Sequence, residues 1–590
     1  MLKNFFISML GAIAGFWISL MLLFLVMVMA IAGSVASMVL NSSEQDMKVE
    51  KGSILRISLD TQIEERHSPR DIQAFINEEP EPQTLENLIY AIKAAKEDDR
   101  IVGIFLNCNG ASAGLATRQT LANALADFKT SKKWILAYGD NYNQGDYYVA
   151  SCADHLYLNP SGSIDLRGLA TSIPFFKGML DKVGVTMQVY KVGTYKSAVE
   201  PFILDNMSDA NREMSQYFLN SLWKEMGGTI AKNRKLTLDK VNMLADSLVP
   251  FDAPEQFVKL KLADGLKYVD QVEEELKKLT NTKKDDDLKI IDYDSYLVDA
   301  TIPHSQSNDN KIAVFYAVGD ITDAGVTGIT AEKMVPEILD LAEDDDIKAM
   351  VLRVNSGGGS AFASEQIWHA LEVFKSKGKT LYVSMGDYAA SGGYYISCGA
   401  ERIFAEPTTL TGSIGIFGMI PCAKELFNDK LGVNFGVVTT NAGGAFPNII
   451  QPATPAESRA MQGAINRGYE LFTSRCATGR NMPQDSIKAI GEGRVWDGVT
   501  AKRIGLVDQL GSLDDAVASL AKKMGYKDYQ VITYPEHKAN FWDMLATLSV
   551  QAKASALKEE LGAYYPIYME LKRFENLEPI QARMLPMTVH

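Results

Sequence analysis

Two stretches of this chain, about 240–248 residues apart, are diverged copies of each other, and that spacing restricts the fold more than any other feature. Asp98-Asp99-Arg100-Ile101-Val102-Gly103-Ile104-Phe105-Leu106 resembles Asp344-Asp345-Asp346-Ile347-Lys348-Ala349-Met350-Val351-Leu352. Gly139-Asp140 through Gly145-Asp146-Tyr147-Tyr148 matches Gly386-Asp387 through Gly392-Gly393-Tyr394-Tyr395. Pro160 matches Pro407, and Ala263-Asp264-Gly265-Leu266 resembles Arg503-Ile504-Gly505-Leu506. So long a period is a duplicated domain, not a solenoid.

Within each half, β-rich runs alternate with helical ones. Ala349-Met350-Val351-Leu352-Arg353-Val354 reads as a strand, Phe362 to Phe374 carries apolar residues at helical spacing, and Thr380 to Met385 is a strand again. The pattern predicts an α/β fold around a largely parallel sheet, built twice. With 590 residues, 46% of them apolar, the chain has material for several cores. The charged run Lys278 to Asp287 and the polar run Ser305-Gln306-Ser307-Asn308-Asp309-Asn310 place a linker between the halves. The expected division is 1–45, 46–300, 301–535, and a helical extension over 536–590 in which Phe541 to Tyr565 reads as an amphipathic helix.

The N-terminus has a different character. No charged residue occurs from Phe5 to Leu40, and Ile13 to Ala32 is dense enough to cross a bilayer, which takes about 20 apolar residues. A secretory signal core is shorter, roughly 7–15 residues, although Ala32-Gly33-Ser34-Val35-Ala36-Ser37 leaves a cleavage site conceivable. The expectation is a single-pass transmembrane helix, N-terminus inside, with the bulk of the chain outside the cytoplasm. The net charge of −14 with no basic run argues against nucleic acid as a partner. Five cysteines, Cys108, Cys152, Cys398, Cys422 and Cys476, are an odd number at spacings that fit no metal site; they read as apolar positions.

Function shows where the two halves differ. Ala389-Ala390-Ser391-Gly392-Gly393-Tyr394-Tyr395 puts a serine at a strand–helix joint, its hydroxyl in the open and the Gly392 amide beside it. The first half has Gln144 there. Asn355-Ser356-Gly357-Gly358-Gly359-Ser360 aligns with Asn109-Gly110-Ala111-Ser112-Ala113-Gly114, so the glycine run is also missing from the first half. Conversely, Lys191-Val192-Gly193-Thr194-Tyr195-Lys196-Ser197-Ala198-Val199-Glu200-Pro201 faces Thr439-Thr440-Asn441-Ala442-Gly443-Gly444-Ala445-Phe446, which holds no lysine. Complementary losses are expected where both copies build one shared site.

The parts suit acyl transfer. No histidine follows Ser391 until His537, so the base has to come from elsewhere. A lysine amine serves if its proton affinity falls: at the ordinary pKa of about 10.4 only about one in a thousand is neutral near pH 7.4, and burial lowers the value by roughly 3–5 units. Tyr195, Ala198, Val199, Pro201, Phe202 and Ile203 offer apolar cover for Lys196. The glycine run and the Gly392 amide offer oxyanion donors, each worth roughly 3–4 kcal/mol. Taken singly, these features have plainer readings: Ser391 as a helix N-cap, Lys196 as a surface side chain, the glycines as a phosphate cradle that lacks the P-loop lysine. It is their unequal distribution over two similar halves that favours chemistry.

Ala389-Ala390-Ser391-Gly392-Gly393-Tyr394, Thr411-Gly412-Ser413-Ile414-Gly415 and Tyr195-Lys196-Ser197-Ala198-Val199-Glu200-Pro201-Phe202 together resemble the signal peptide peptidase A family in its long, two-repeat form, from the membrane segment to about Val517. The resemblance implies tandem Clp protease/crotonase-like domains and a serine protease with a Ser-Lys dyad. In it Ser391 is the nucleophile, Lys196 the general base, and Ser413 the residue that hydrogen-bonds the lysine. The oxyanion donors would be Gly392 and Gly359, with Gly358 the alternative, because this chain has Gly357 where the family has proline. It further implies a homotetrameric bowl on the inner membrane, facing the periplasm, that cuts signal peptides without metal or organic cofactor. The rival readings are a crotonase-like acyl-CoA enzyme, which would use the same paired amides without the serine, and a non-catalytic membrane scaffold.

Overall fold

The duplication is built as two sheets of matching order. The structure, a computed structural model, describes residues 49–66, 82–300, 304, 306–325, 328–535 and 580–585, with a few helical residues between 9 and 22. In the first half the strands run Gly265–Leu266, His155–Leu158, Trp134–Gly139, Ile101–Cys108, Ser53–Leu59, Ile290–Asp292, every neighbour parallel. In the second half Thr380–Ala390, Ile347–Ser356, Lys311–Val318 and Gln530–Tyr534 lie in the corresponding order, with Arg402–Ala405 and Gln509–Leu510 continuing beyond Thr380–Ala390. The central strand Ile347–Ser356 is buried almost throughout, as expected of parallel strands covered by helices on both faces. Its near-continuous apolar run has that cause.

The repeat register needs one correction. Gly265-Leu266, which pairs with Tyr157-Leu158, corresponds to Gln509-Leu510, which pairs with Phe404-Ala405, and not to Gly505-Leu506. Two conserved contacts fix the match: the Tyr147 hydroxyl donates to Leu262 O at 2.9 Å and Tyr394 to Leu506 O at 3.0 Å, while Asp264 and Asp508 accept from the Leu156 and Ile403 amides at 2.8 Å each. The shared Gly-Leu dipeptide is a coincidence of letters. The charged run Lys278 to Asp287 is a loop within the first half and not the linker, for Lys278 still belongs to the helix Val269–Thr280 and Ile290–Asp292 pairs with Ser53–Leu59 in the first sheet.

The halves are sewn together. The helix Leu115–Phe128 begins at Gly114, which has no capping side chain. Asp387 of the other half supplies one, accepting from the Ala116 and Thr117 amides at 2.8 and 3.0 Å and from Thr117 Oγ1 at 2.7 Å. A side chain at position 114 would collide with that carboxylate, 2.1 Å from its Cγ. Arg353 and Glu65, both buried, form a second tie at 2.8 Å.

A third sheet is made by both halves and the C-terminus. Its order is Ile329–Thr330, Ile321–Thr322, Gly358–Ser360, Ile580–Arg583, Ile416–Cys422, Thr186–Val192. The extension over 536–590 is therefore not helical throughout: Ile580–Arg583 is a strand, because the open edges of two neighbouring strands satisfy its backbone on both sides. Phe541 to Tyr565 lies outside the described residues, as does most of Ile13 to Ala32. Among the described residues no helix is long and apolar enough to cross a membrane. All five cysteines are buried and free.

Candidate active site

The third sheet brings the lysine of one half to the serine of the other. Thr186–Val192 pairs antiparallel with Ile416–Cys422 over seven residues, from Thr186↔Cys422 to Val192↔Ile416. Lys196 follows the first strand by four residues, and Ser413 precedes the second by three. The ladder thus holds the two loops side by side. Lys196 Nζ lies 2.7 Å from Ser391 Oγ, 3.1 Å from Ser413 Oγ and 3.0 Å from Ser413 O. Lys196 is 1% exposed and Ser391 fully buried. Burial holds the lysine amine well below the usual lysine range.

Ser391 sits where the strand Thr380–Ala390 turns into the helix Gly392–Ser397. Its φ is +54°, in the left-handed region, and its side chain does not cap the helix. The plain N-cap reading of this serine is thus not what the structure contains. Two backbone bonds hold the turn: Ser391 N donates to Gly412 O at 2.7 Å, and Tyr395 N donates to Ser391 O at 2.8 Å. Ser413 is also left-handed, at +51°, with its amide donating to Arg494 O at 2.7 Å.

The glycine run does not form a simple loop. Gly358–Ser360 is a short strand, and Ser360 Oγ caps the following helix Ala361–Ser376 by accepting from the Ala363 amide at 3.2 Å. Gly358 has φ +99° and donates its amide to Ser356 Oγ at 3.1 Å. A Cβ on Gly358 would stand 2.7 Å from the Gly392 amide nitrogen, so the run and the serine turn are in contact.

One element of the site was not foreseen. Gly491 to Val495 passes between the two loops: Tyr195 N donates to Glu492 O at 2.9 Å, Gly493 N to Ile414 O at 2.8 Å, and Ser413 N to Arg494 O. Gly493, at φ +79°, presses on the lysine, since a Cβ there would lie 2.6 Å from Lys196 N. The Arg494 guanidinium stands 4.6 Å from the ring centres of both Tyr195 and Trp496 and pairs with Glu213 at 3.0 Å. The signal was available, because Gly491-Glu492-Gly493 has no glycine counterpart in Ser247-Leu248-Val249 of the first half.

Among the described residues the first half has no such centre. Gln144 opens the helix Gln144–Ala150, and its side chain is tied to the backbone, accepting from the Arg167 and Gly168 amides at 2.9 and 3.0 Å and donating to Gly168 O at 2.9 Å. It lines a cavity of about 790 Å³ that contains neither Lys196 nor Ser391.

Comparison with known proteins finds the same duplication. A model of peptidase family S49 matches residues 127–283 and 373–527, once in each half, and a model of Clp protease matches 320–410. Protease 4 of Salmonella typhi is 36% identical over 82% of this chain and 79% of its own length. Protease 4 of Haemophilus influenzae is 34% identical over 86% of this chain and 83% of its own. A putative signal peptide peptidase SppA of Enterococcus faecium is 32% identical over 42% of this chain and 72% of its own.

Proposed function

The chain belongs to peptidase family S49 and is a serine protease; on that premise we propose that Ser391 is its nucleophile and Lys196 its general base. The observation that carries this reading is their 2.7 Å contact across 195 residues of sequence. A neutral amine has two N–H groups and one lone pair. The two oxygens of Ser413 take the N–H groups and aim the lone pair at the Ser391 hydroxyl. Ser391 Oγ then adds to the peptide carbonyl carbon as its proton passes to Nζ. The oxyanion is received by the amides of Gly392 and Gly359. The Gly358 amide, engaged with Ser356, is left out of this role. Lys196 gives its proton to the leaving amine and next takes one from the water that frees the acyl-enzyme. With the enzyme a serine protease, the acyl-CoA and scaffold readings have no further support.

A phosphonofluoridate reagent tests the assignment. The label is expected on Ser391, at a rate that rises with pH through the lowered pKa of Lys196, because the protonated amine accepts nothing. A rate flat in pH, or a label elsewhere, rejects the dyad. Gly493→Ala tests the strap beside it. Its Cβ would push the lysine backbone away, and a misplacement of about 1 Å costs on the order of 10²-fold in kcat. The pH profile should move alkaline as well, since a displaced amine is better solvated. Unchanged kcat and profile would show that the strap does not position the lysine.

The wider setting is part of the same proposal. The apolar run Phe5 to Leu40 anchors the chain in the inner membrane by one span, with residues 46–300 and 301–535 as two catalytic halves on the periplasmic side. The substrates are signal peptides and other membrane-associated peptides, and the working form is a homotetramer. Supporting this are the charge-free run itself, the name carried by the Enterococcus faecium relative, and the match to a Clp protease model.

A further inference from the structure

We infer that Cys398 and Cys476 are a redox-active pair, which an oxidant carrying a disulfide converts into a cross-link between the nucleophile's helix and the helix that braces the lysine's strand. The effect of that bond on the protease rests on the reading of Ser391 and Lys196 as the dyad; its formation does not.

The two thiols meet where two helices run side by side. Gly392–Ser397 starts just after the nucleophile and is closed by Cys398, and Pro455–Arg480 carries Cys476. The contacts follow at one-turn intervals, as they do for residues three or four apart on one helix face. The rings of Tyr395 and Phe472 stack with their centres 4.4 Å apart. One turn on, the Cys476 thiol hydrogen-bonds the Cys398 sulfur. Beyond that the backbones touch, since a Cβ on Gly479 would collide with the Cys398 carbonyl oxygen. Both cysteines are fully buried in one apolar cluster.

The first half contains the same joint without cysteines. Tyr148 and Ser151 stand where Tyr395 and Cys398 stand, and Arg234, bound to Asp264, corresponds to Arg480, bound to Asp508. Ser151 Oγ donates to Tyr148 O at 2.7 Å and accepts from Asn233 Nδ2 at 2.9 Å. Cys398 Sγ likewise donates to Tyr395 O at 3.2 Å. The counterpart of Asn233 is Gly479, which has no side-chain donor, and the counterpart of Ile230 is Cys476. A hydroxyl held by an amide is thus replaced by a thiol held by a thiol. Packing alone requires neither cysteine, because serine and isoleucine fill the joint in the first half.

The chemistry is thiol–disulfide exchange. The thiolate of one cysteine attacks a sulfur of the external disulfide and expels one thiol. The thiolate of the other then attacks the mixed disulfide and expels the second, so that two electrons and two protons pass to the oxidant. Burial holds the Cys476 thiol well above the usual thiol range. Exchange therefore runs while the helices are parted, and the finished bond is shielded from reductant.

The helix Pro455–Arg480 reaches both catalytic supports. The Ser458 hydroxyl lies 3.2 Å from the Tyr190 hydroxyl, and Gln462 Nε2 donates to Lys191 O at 3.4 Å, both on the strand that leads to Lys196. A bond at Cys476 ties the nucleophile's helix to the same rod. It opposes separation of serine and lysine without altering their closed geometry.

The test incubates full-length protein with glutathione disulfide in urea below the unfolding range, beside a sample kept in dithiothreitol. Both are capped with iodoacetamide in strong denaturant and mapped by mass spectrometry. A Cys398–Cys476 cross-link is expected, with Cys108, Cys152 and Cys422 capped. The oxidised form should keep its activity on heating with a half-life longer by about tenfold or more, at unchanged kcat. Cys398→Ser, which matches the first half, and Cys476→Ala should each erase the difference between oxidised and reduced samples. Cys398 and Cys476 both capped or carrying only glutathione, a cross-link between other cysteines, or a cross-link with no effect on half-life would overturn the inference. Peptide cleavage by Ser391→Ala would instead reject the nucleophile and leave the mapped bond standing, so the two failures are distinguishable.

Discussion

Replacing Lys196 by arginine is expected to lower kcat by about 10⁴-fold or more at every pH the protein tolerates. A guanidinium keeps its proton throughout and so has no lone pair for the Ser391 hydroxyl. The pocket adds a steric complication, for Gly415 and Gly493 crowd the lysine: Cβ atoms there would lie 3.1 Å from its Cδ and 2.6 Å from its amide nitrogen. Lost activity alone therefore does not separate a missing base from a misfitted side chain. Lys196→Ala does, because it leaves room for a small external amine. Ethylamine should restore part of the lost rate in proportion to its unprotonated concentration, whereas guanidine should restore none. A pocket that needs only a cation would respond to both. No rescue by amines, with the variant folded, would mean that Lys196 does not act as a base.

The contact of Ser391 with Lys196 was legible because duplication supplies an internal control. Each half keeps the shared scaffold, so a residue present in one half only, such as Ser391 against Gln144 or Lys196 against an Asn-Gly stretch, stands out without any second sequence. The strands Ile347–Ser356 and Thr380–Ala390 and the helix Ala361–Ser376 were legible from period and apolar content, which are local properties. What joins the halves was not. The ladder of Thr186–Val192 with Ile416–Cys422 pairs residues 224–236 positions apart, about one repeat length, and a strand's own sequence does not name its partner. Ile580–Arg583 departs from the expected helical extension, and its four residues carry no strand period of their own. Its conformation is set by the two edges that receive it. The strap at Gly493 shows in the sequence only as Gly491-Glu492-Gly493 against Ser247-Leu248-Val249, because its bonds to Tyr195 and Ile414 join segments far apart in the chain.

Ser391→Ala is expected to cost about 10⁴–10⁶-fold in kcat while leaving peptide binding nearly unchanged. The substitution keeps the backbone bonds from Ser391 N to Gly412 O and from Tyr395 N to Ser391 O, so the turn and the Gly392 amide stay in place. A residue of rate above that in water should survive, carried by the oxyanion donors and by binding. Ser391→Thr should be nearly as inactive although it retains a hydroxyl, because a β-branched side chain is poorly tolerated at φ +54°. The double variant Ser391→Ala with Lys196→Arg is the stronger test. Groups that act as one unit are not additive: once the nucleophile is gone, its base has nothing to activate. The double variant should therefore be no slower than Ser391→Ala alone, within about threefold. A further drop of orders of magnitude would mean that Lys196 serves the residual reaction by another route, as a base for water or as a structural support, and the pairing of the two side chains would lose its catalytic meaning.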